Sequence, residues 1–281
     1  MIDPGTGLTI LGSAIGGAKI LEKILGPSSE YIGDQIREWT KKRISNTSKI
    51  FKNAEEKLGD KINEEGRVPP KILKGILEDG AWCEEDLQIE YFGGVLASSR
   101  SGISRDDRGA YFVSIISKLS TYQLRTHYLV YHSIKSQFNG QGMNVAISSD
   151  REKMEIFIPY STYYSALNFS KEEMPNSMFL MEHAVVGLFK EKLIEDYKYG
   201  PSEHLKERFP EADEAGILFE PSMLGVELFM WAYGLGQNQN NDFFLPEIKF
   251  DNKLDIKLGM TKKNKLNPQA NTYGAIFNCL H

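Results

Sequence analysis

Residues Arg67 to Ser99 read RVPPKILKGILEDGAWCEEDLQIEYFGGVLASS, and their punctuation decides the fold of the helical half. Pro69-Pro70 forces extended backbone and then supplies a proline suited to a first helical turn. A short apolar helix is therefore expected over about 70–79. Glu84, Glu85 and Asp86 follow. Carboxylates in a first turn stabilise the positive end of the helix dipole by about 0.3–1 kcal/mol each, so a second helix is expected over about 84–98. It closes on the small residues Ala97 and Ser98. The acidic run also suits acid/base or metal chemistry, but capping and contact with a basic neighbour explain it more simply.

Downstream, SSRSGISR (98–105) reads as a surface loop, and Asp106-Asp107 as a helix start. Helices are expected over about 107–119 and 121–137, with a break at Asn139 to Gly142. Two short alternating segments, 143–148 and 154–158, read as a strand pair. Met178 to Lys192 is an apolar helix ending in Leu193-Ile194. A strand at 215–219 and a helix from Ser222 to Tyr233 complete a helix, step, strand, helix order that is winged-helix-like. A hairpin is expected from 244–250 and 254–258 around Asp251-Asn252-Lys253, with a closing strand at Thr272 to Cys279. The fold class is α+β, predominantly α.

Upstream, Ile32, Ile36, Trp39, Ile50, Ala54, Leu58 and Ile62 recur at spacings of three and four, with Arg43 and Thr47 weakening the middle. One helix from Ser29 to Asp60 would be about 48 Å long and would need a partner to cover its stripe. Before it, PGTGLTILGSAIGGA (4–18) carries no charge. As a helix it would span about 22 Å, short of a hydrocarbon core of about 30 Å. Gly12, Ser13, Gly16 and Gly17 place small residues at spacings that permit close approach, either of helices in a membrane or against the long helix. These boundaries divide the chain into a glycine-rich segment (1–27), a helical domain (28–140) and a mixed α/β, winged-helix-like domain (141–281).

With 281 residues, 41% hydrophobic, the chain can bury one large core or two smaller ones. A net charge of -5 argues against a surface that binds nucleic acid throughout. Cys83 and Cys279 lie far apart and form no metal or redox motif, and no basic stretch precedes the first apolar run. A cytoplasmic protein is expected.

Nucleotide, serine-hydrolase and zinc-protease signatures are missing. Of the five histidines, His127 and His132 are five apart, off the i, i+4 spacing of a helical metal pair. They read as packing among Tyr122, Tyr128 and Tyr131. His183, beside Glu182 on an apolar helix, reads as a hydrogen-bonded core residue. No catalytic residue, cofactor or metal is expected. The basic run Arg37, Lys41, Lys42, Arg43, Lys49 and Lys52 faces either the phosphates of lipid or nucleic acid, or the acidic helix at 84–90.

Val68, Pro69 and Pro70, then Glu84, Glu85 and Asp86, then Phe92, Leu96, Ala97 and Ser98 together resemble the core of the Abi-alpha family, bacterial proteins associated with abortive infection, and the likeness runs on to about Trp231. Met223-Leu224-Gly225 resembles that family's step before its last helix, with Ser222 and Met223 departing from it. The resemblance implies a non-enzymatic component of antiphage defence. The expected partners are further copies of the chain, membrane lipid at the inner membrane through the glycine-rich start, and a phage component or second defence protein. The alternative is a nucleic-acid-binding sensor built on the winged-helix-like half with Lys253, Lys257, Lys262, Lys263 and Lys265.

Overall fold

Pro70 stands at the first turn of a helix, as the paired prolines predict, and it opens a run of four packed helices. The computed structural model describes residues 41–83, 85–103, 105–250 and 261–263. The helices are α1 (Lys41–Leu58), α2 (Pro70–Asp79), α3 (Asp86–Ser99), α4 (Gly109–Lys118) and α5 (Thr121–Phe138). α2 to α5 fall within two residues of the sequence expectation. α1 lies within the expected long helix and ends where Gly59 takes a positive φ of 50°, and residues 29–40 of that expectation lie outside the described residues.

Apolar residues surround α3 on all sides, and it is buried accordingly, from Leu87 to Ser99 with few exceptions. α1 covers one face with Ile50, Phe51 and Ala54. At Gly94 the last helix lies so close that an added Cβ would sit 1.8 Å from the Ala232 carbonyl oxygen. α5 begins with a reciprocal cap: the Gln123 amide donates to Ser120 Oγ (3.3 Å), and the Ser120 amide donates to Gln123 Oε1 (2.8 Å).

The chain continues through α6 (Ser148–Lys153), β1 (Ile156–Pro159), α7 (Tyr160–Leu167), α8 (Ser177–Lys190), β2 (Ile194–Gly200), α9 (Ser202–Leu205), β3 (Gly216–Pro221), α10 (Met223–Ala232) and β4 (Lys262–Lys263). The strands form one antiparallel sheet in the order β2-β3-β1-β4. From α5 the main elements run helix, strand, helix, helix, strand, strand. That order, with β3 between β2 and β1, is winged-helix-like, with α8 third among its helices; it takes in α5 from before residue 141 and leaves out α10, which belongs to the order expected from the sequence. The architecture is α+β and predominantly α.

One apolar cluster runs from Ile50 to Phe250, so residues on both sides of position 140 share a core. A small second cluster, Phe157, Leu205, Phe209, Ala212 and Leu218, lies under the β2–β3 connection.

Two expectations are corrected. Residues 143–148 do not pair with 154–158. Asn144 instead turns the chain, its Oδ1 accepting from the Ala146 amide (2.9 Å) while its own amide donates to Asp150 Oδ2 (3.1 Å). β1, buried along its whole length, takes β3 and β4 as partners. Nor do residues 244–250 form a strand. Phe244 ends a 3₁₀ turn (Asn240–Phe244), Pro246 has no amide to give, and Lys135 Nζ donates to the carbonyls of Phe243 (2.7 Å) and Leu245 (2.8 Å). The expected second strand, 254–258, and the closing strand at 272–279 lie outside the described residues.

Candidate functional site

The acidic helix start is engaged in ion pairs. Glu85 pairs with Arg125 of α5 at 2.8 Å and Asp86 with Lys49 of α1 at 3.5 Å, while Glu90 holds Lys57 at 2.8 Å and accepts from Asn53. Of the two readings open for the basic run, pairing with the acidic helix therefore describes Lys49, and Lys57, outside that run, pairs in the same way. The open groove of about 280 Å³ between α1 and α3 is lined by Lys49 and Lys52 but also by Glu56, Asp86 and Glu90. It has no single sign of charge to offer an anion. Glu84, Gly12, Ser13, Gly16, Gly17 and Arg37 lie outside the described residues, as do the side chains of Lys41, Lys42 and Arg43 in α1.

His127 lies deeper than the packing position read from the sequence, whereas His183, read as a core residue, is exposed on the outer side of its helix. His127 is fully buried, with Tyr91 OH 2.8 Å from Nδ1 and the Gly225 carbonyl 3.1 Å from Nε2. Nε2 therefore carries the proton and donates to Gly225, while Tyr91 donates to Nδ1. Burial lowers its pKa to about 3, against the weaker pull of the Gly225 bond. Beside it, Tyr131 donates to the Leu193 carbonyl (2.6 Å) and accepts from the Ser222 amide (3.1 Å), and Ser222 Oγ donates to the Lys192 carbonyl (2.7 Å). These bonds hold the α8–β2 corner, where Lys192 takes a positive φ of 59°. His132 is mostly buried, and burial lowers its pKa to about 4.

A second polar group was missed in the sequence because its members are scattered. Arg208, from the β2–β3 connection, reaches Glu155 (2.5 Å), Asp196 (2.5 Å) and Glu220 (3.6 Å). Burial pushes the Glu155 carboxyl up to about 7, outweighing the Arg208 guanidinium, with Glu220 and Asp196 adding to the rise. Among the described residues no His, Cys, Asp and Glu side chains converge as a metal-holding group.

Much of what α8 exposes is apolar. Leu188, Val185, Ala184 and Met181 face the core, and Gly187 admits the Gln123 side chain of α5. Outward along one stripe lie Phe179, His183, Val186 and Lys190, spaced four, three and four, with Phe179 70% exposed. Half-buried aromatic residues flank it. Phe189 packs edge-on to Tyr197, Tyr197 stacks with Tyr199, and Tyr199 OH donates to Glu182 Oε1 at 3.1 Å. The helix was legible as apolar, but its sequence is apolar around the circumference, so periodicity did not separate the outer face from the inner.

Of the lysines assigned to nucleic-acid contact, Lys262 pairs with Asp213 at 2.5 Å and Lys263 lies over the Phe138 ring at 5.9 Å. Lys253, Lys257 and Lys265 lie outside the described residues. No described helix is long and apolar enough to cross a membrane. No family model, curated protein or solved structure matches the chain.

Proposed function

We propose that this chain is a non-enzymatic, self-assembling component of bacterial antiphage defence of the abortive-infection kind. It acts in the cytoplasm and at the inner membrane, where segment 5–26 meets lipid. The observation that carries the assembly reading is the stripe on α8. A winged helix that reads nucleic acid presents cations and hydrogen-bonding side chains from this position. Here the same stripe presents Phe179 and Val186 together with His183 and Lys190, beside tyrosines of the kind enriched at protein interfaces. The resemblance of Val68 to Ser98 to Abi-alpha proteins supports the setting, and the uncharged start before Arg37 supports the lipid contact.

Sedimentation of the full chain over a concentration series tests assembly, with concentration-dependent oligomers expected and a monomer throughout contradicting it. Vesicle flotation of the full chain and of a deletion of residues 1–26 tests the lipid contact. Binding by the full chain alone is expected. Equal behaviour of the two would refute it.

A further inference from the structure

We propose that α8 is the seam of a two-fold dimer, in which the helix packs antiparallel against its copy about a point between Glu182 and His183. The proposal rests on the self-assembly reading and names its surface.

The exposed stripe of α8 is self-complementary. In an isologous interface each contact occurs twice, residue i on one copy meeting residue j on the other and the reverse. Centred between Glu182 and His183, an antiparallel pair sets Phe179 against Val186 of the second copy, and Glu182 against its His183. Both apolar residues of the stripe are then covered by one another. The polar pair matches as well. Ser120 Oγ accepts from the Gln123 amide and lies 3.1 Å from His183 Nε2. In the tautomer in which Ser120 donates to Nε2, the imidazole proton sits on Nδ1, which meets no other described residue. Glu182 uses Oε1 for Tyr199, leaving Oε2 to accept. Each copy thus brings an unused donor and an unused acceptor to the axis.

The ends agree in charge. Lys190 closes α8 with Glu191 and Lys192 just beyond it, a surplus of one positive charge, while Lys171, Glu172 and Glu173 lie in the turn before it, a surplus of one negative charge, so antiparallel packing brings each net basic end to a net acidic one. Parallel packing would set like beside like. The seam also occupies the face that a winged helix would insert into a major groove, so the dimer and a nucleic acid would compete for it.

The test is a charge-pair exchange in the full chain, read by sedimentation and by circular dichroism for folding. Phe179→Lys and Val186→Glu both change exposed positions, and each alone is expected to weaken dimerisation at least tenfold with an unchanged helical spectrum. The double variant sets the introduced ammonium at position 179 against the introduced carboxylate at position 186 of the other copy, at both ends of the seam, so it is expected to regain the dimer. Wild-type oligomers unaffected by either single change would overturn the seam while leaving self-assembly standing through another surface. A wild type that stays monomeric at its highest soluble concentration would overturn both. Failure of the double variant to recover any association would overturn the antiparallel register.

Discussion

Ser98 Oγ donates to the Trp231 carbonyl at 3.0 Å and itself accepts from the Gly236 amide at 3.0 Å. The end of α3 is thereby tied to the end of α10, 133 residues further along the chain. The small residues that close the opening stretch serve this junction: Gly94 admits the Ala232 backbone, and Ser98 satisfies the groups left over at the helix end.

Substitutions at this junction are expected to be costly. Ser98→Ala leaves the buried Gly236 amide unpaired, a loss of about 1–3 kcal/mol. Gly94→Ala puts a methyl group into the Ala232 carbonyl and is expected to cost about 3 kcal/mol or more. Gly102→Ala, where an added Cβ meets nothing within 4 Å, is the control and is expected to leave the urea midpoint nearly unchanged.

Acid should loosen the core through His127. Its folded pKa, about 3, lies below the ordinary 6.5, so the unfolded chain binds the proton first. The neutral imidazole's contribution is complete above pH 6.5 and falls away as the pH drops towards 3, by at most about 1.4 kcal/mol per pH unit. His132 acts in the same direction towards about 4. A His127→Gln variant, compared with wild type by urea titration between pH 7 and 4, should show the shallower loss. Parallel curves would contradict this.

Glu155 has the opposite sign. Its folded pKa, about 7, lies above the ordinary 4.5, so the folded state holds the proton more tightly. That contribution is complete below 4.5 and is lost as the pH rises through 7. Glu155→Gln should flatten the stability profile between pH 5 and 8 and leave the acid limb set by His127 in place. An unchanged slope in that window would show that Arg208 keeps Glu155 ionised throughout.

Gel-shift titrations bear on the nucleic-acid alternative. Phosphate binders weaken steeply as salt rises, and Lys262 is already paired with Asp213. No retardation is expected at low salt. A shift at low salt that fades as salt is added would favour that alternative.

Helix boundaries were legible where local chemistry sets them. Pro69-Pro70 marks a start that the structure keeps, and Asp106-Asp107 one that it keeps to within two residues. The sheet was less legible because its pairing is non-local. Ile156 meets Phe219 across 63 positions, and no local pattern names that partner. The Arg208 group was illegible for the same reason, since its acids come from three separated elements. The polar face of α1 was half legible: the charges were visible, and their pairing with α3 was one of two readings left open.

The most direct measurement of the proposed assembly is the distance between spin labels on two copies of the chain, placed at position 178, beside the seam, or at position 190, with Cys83 and Cys279 replaced by Ser. Antiparallel helices of 1.5 Å rise, packed about 8–10 Å apart, put the two 178 backbones about 16 Å apart and the two 190 backbones about 24 Å apart. A shorter distance at 178 with a longer one at 190 is the predicted result. Equal distances at the two positions, or no dipolar signal at either, would contradict the account.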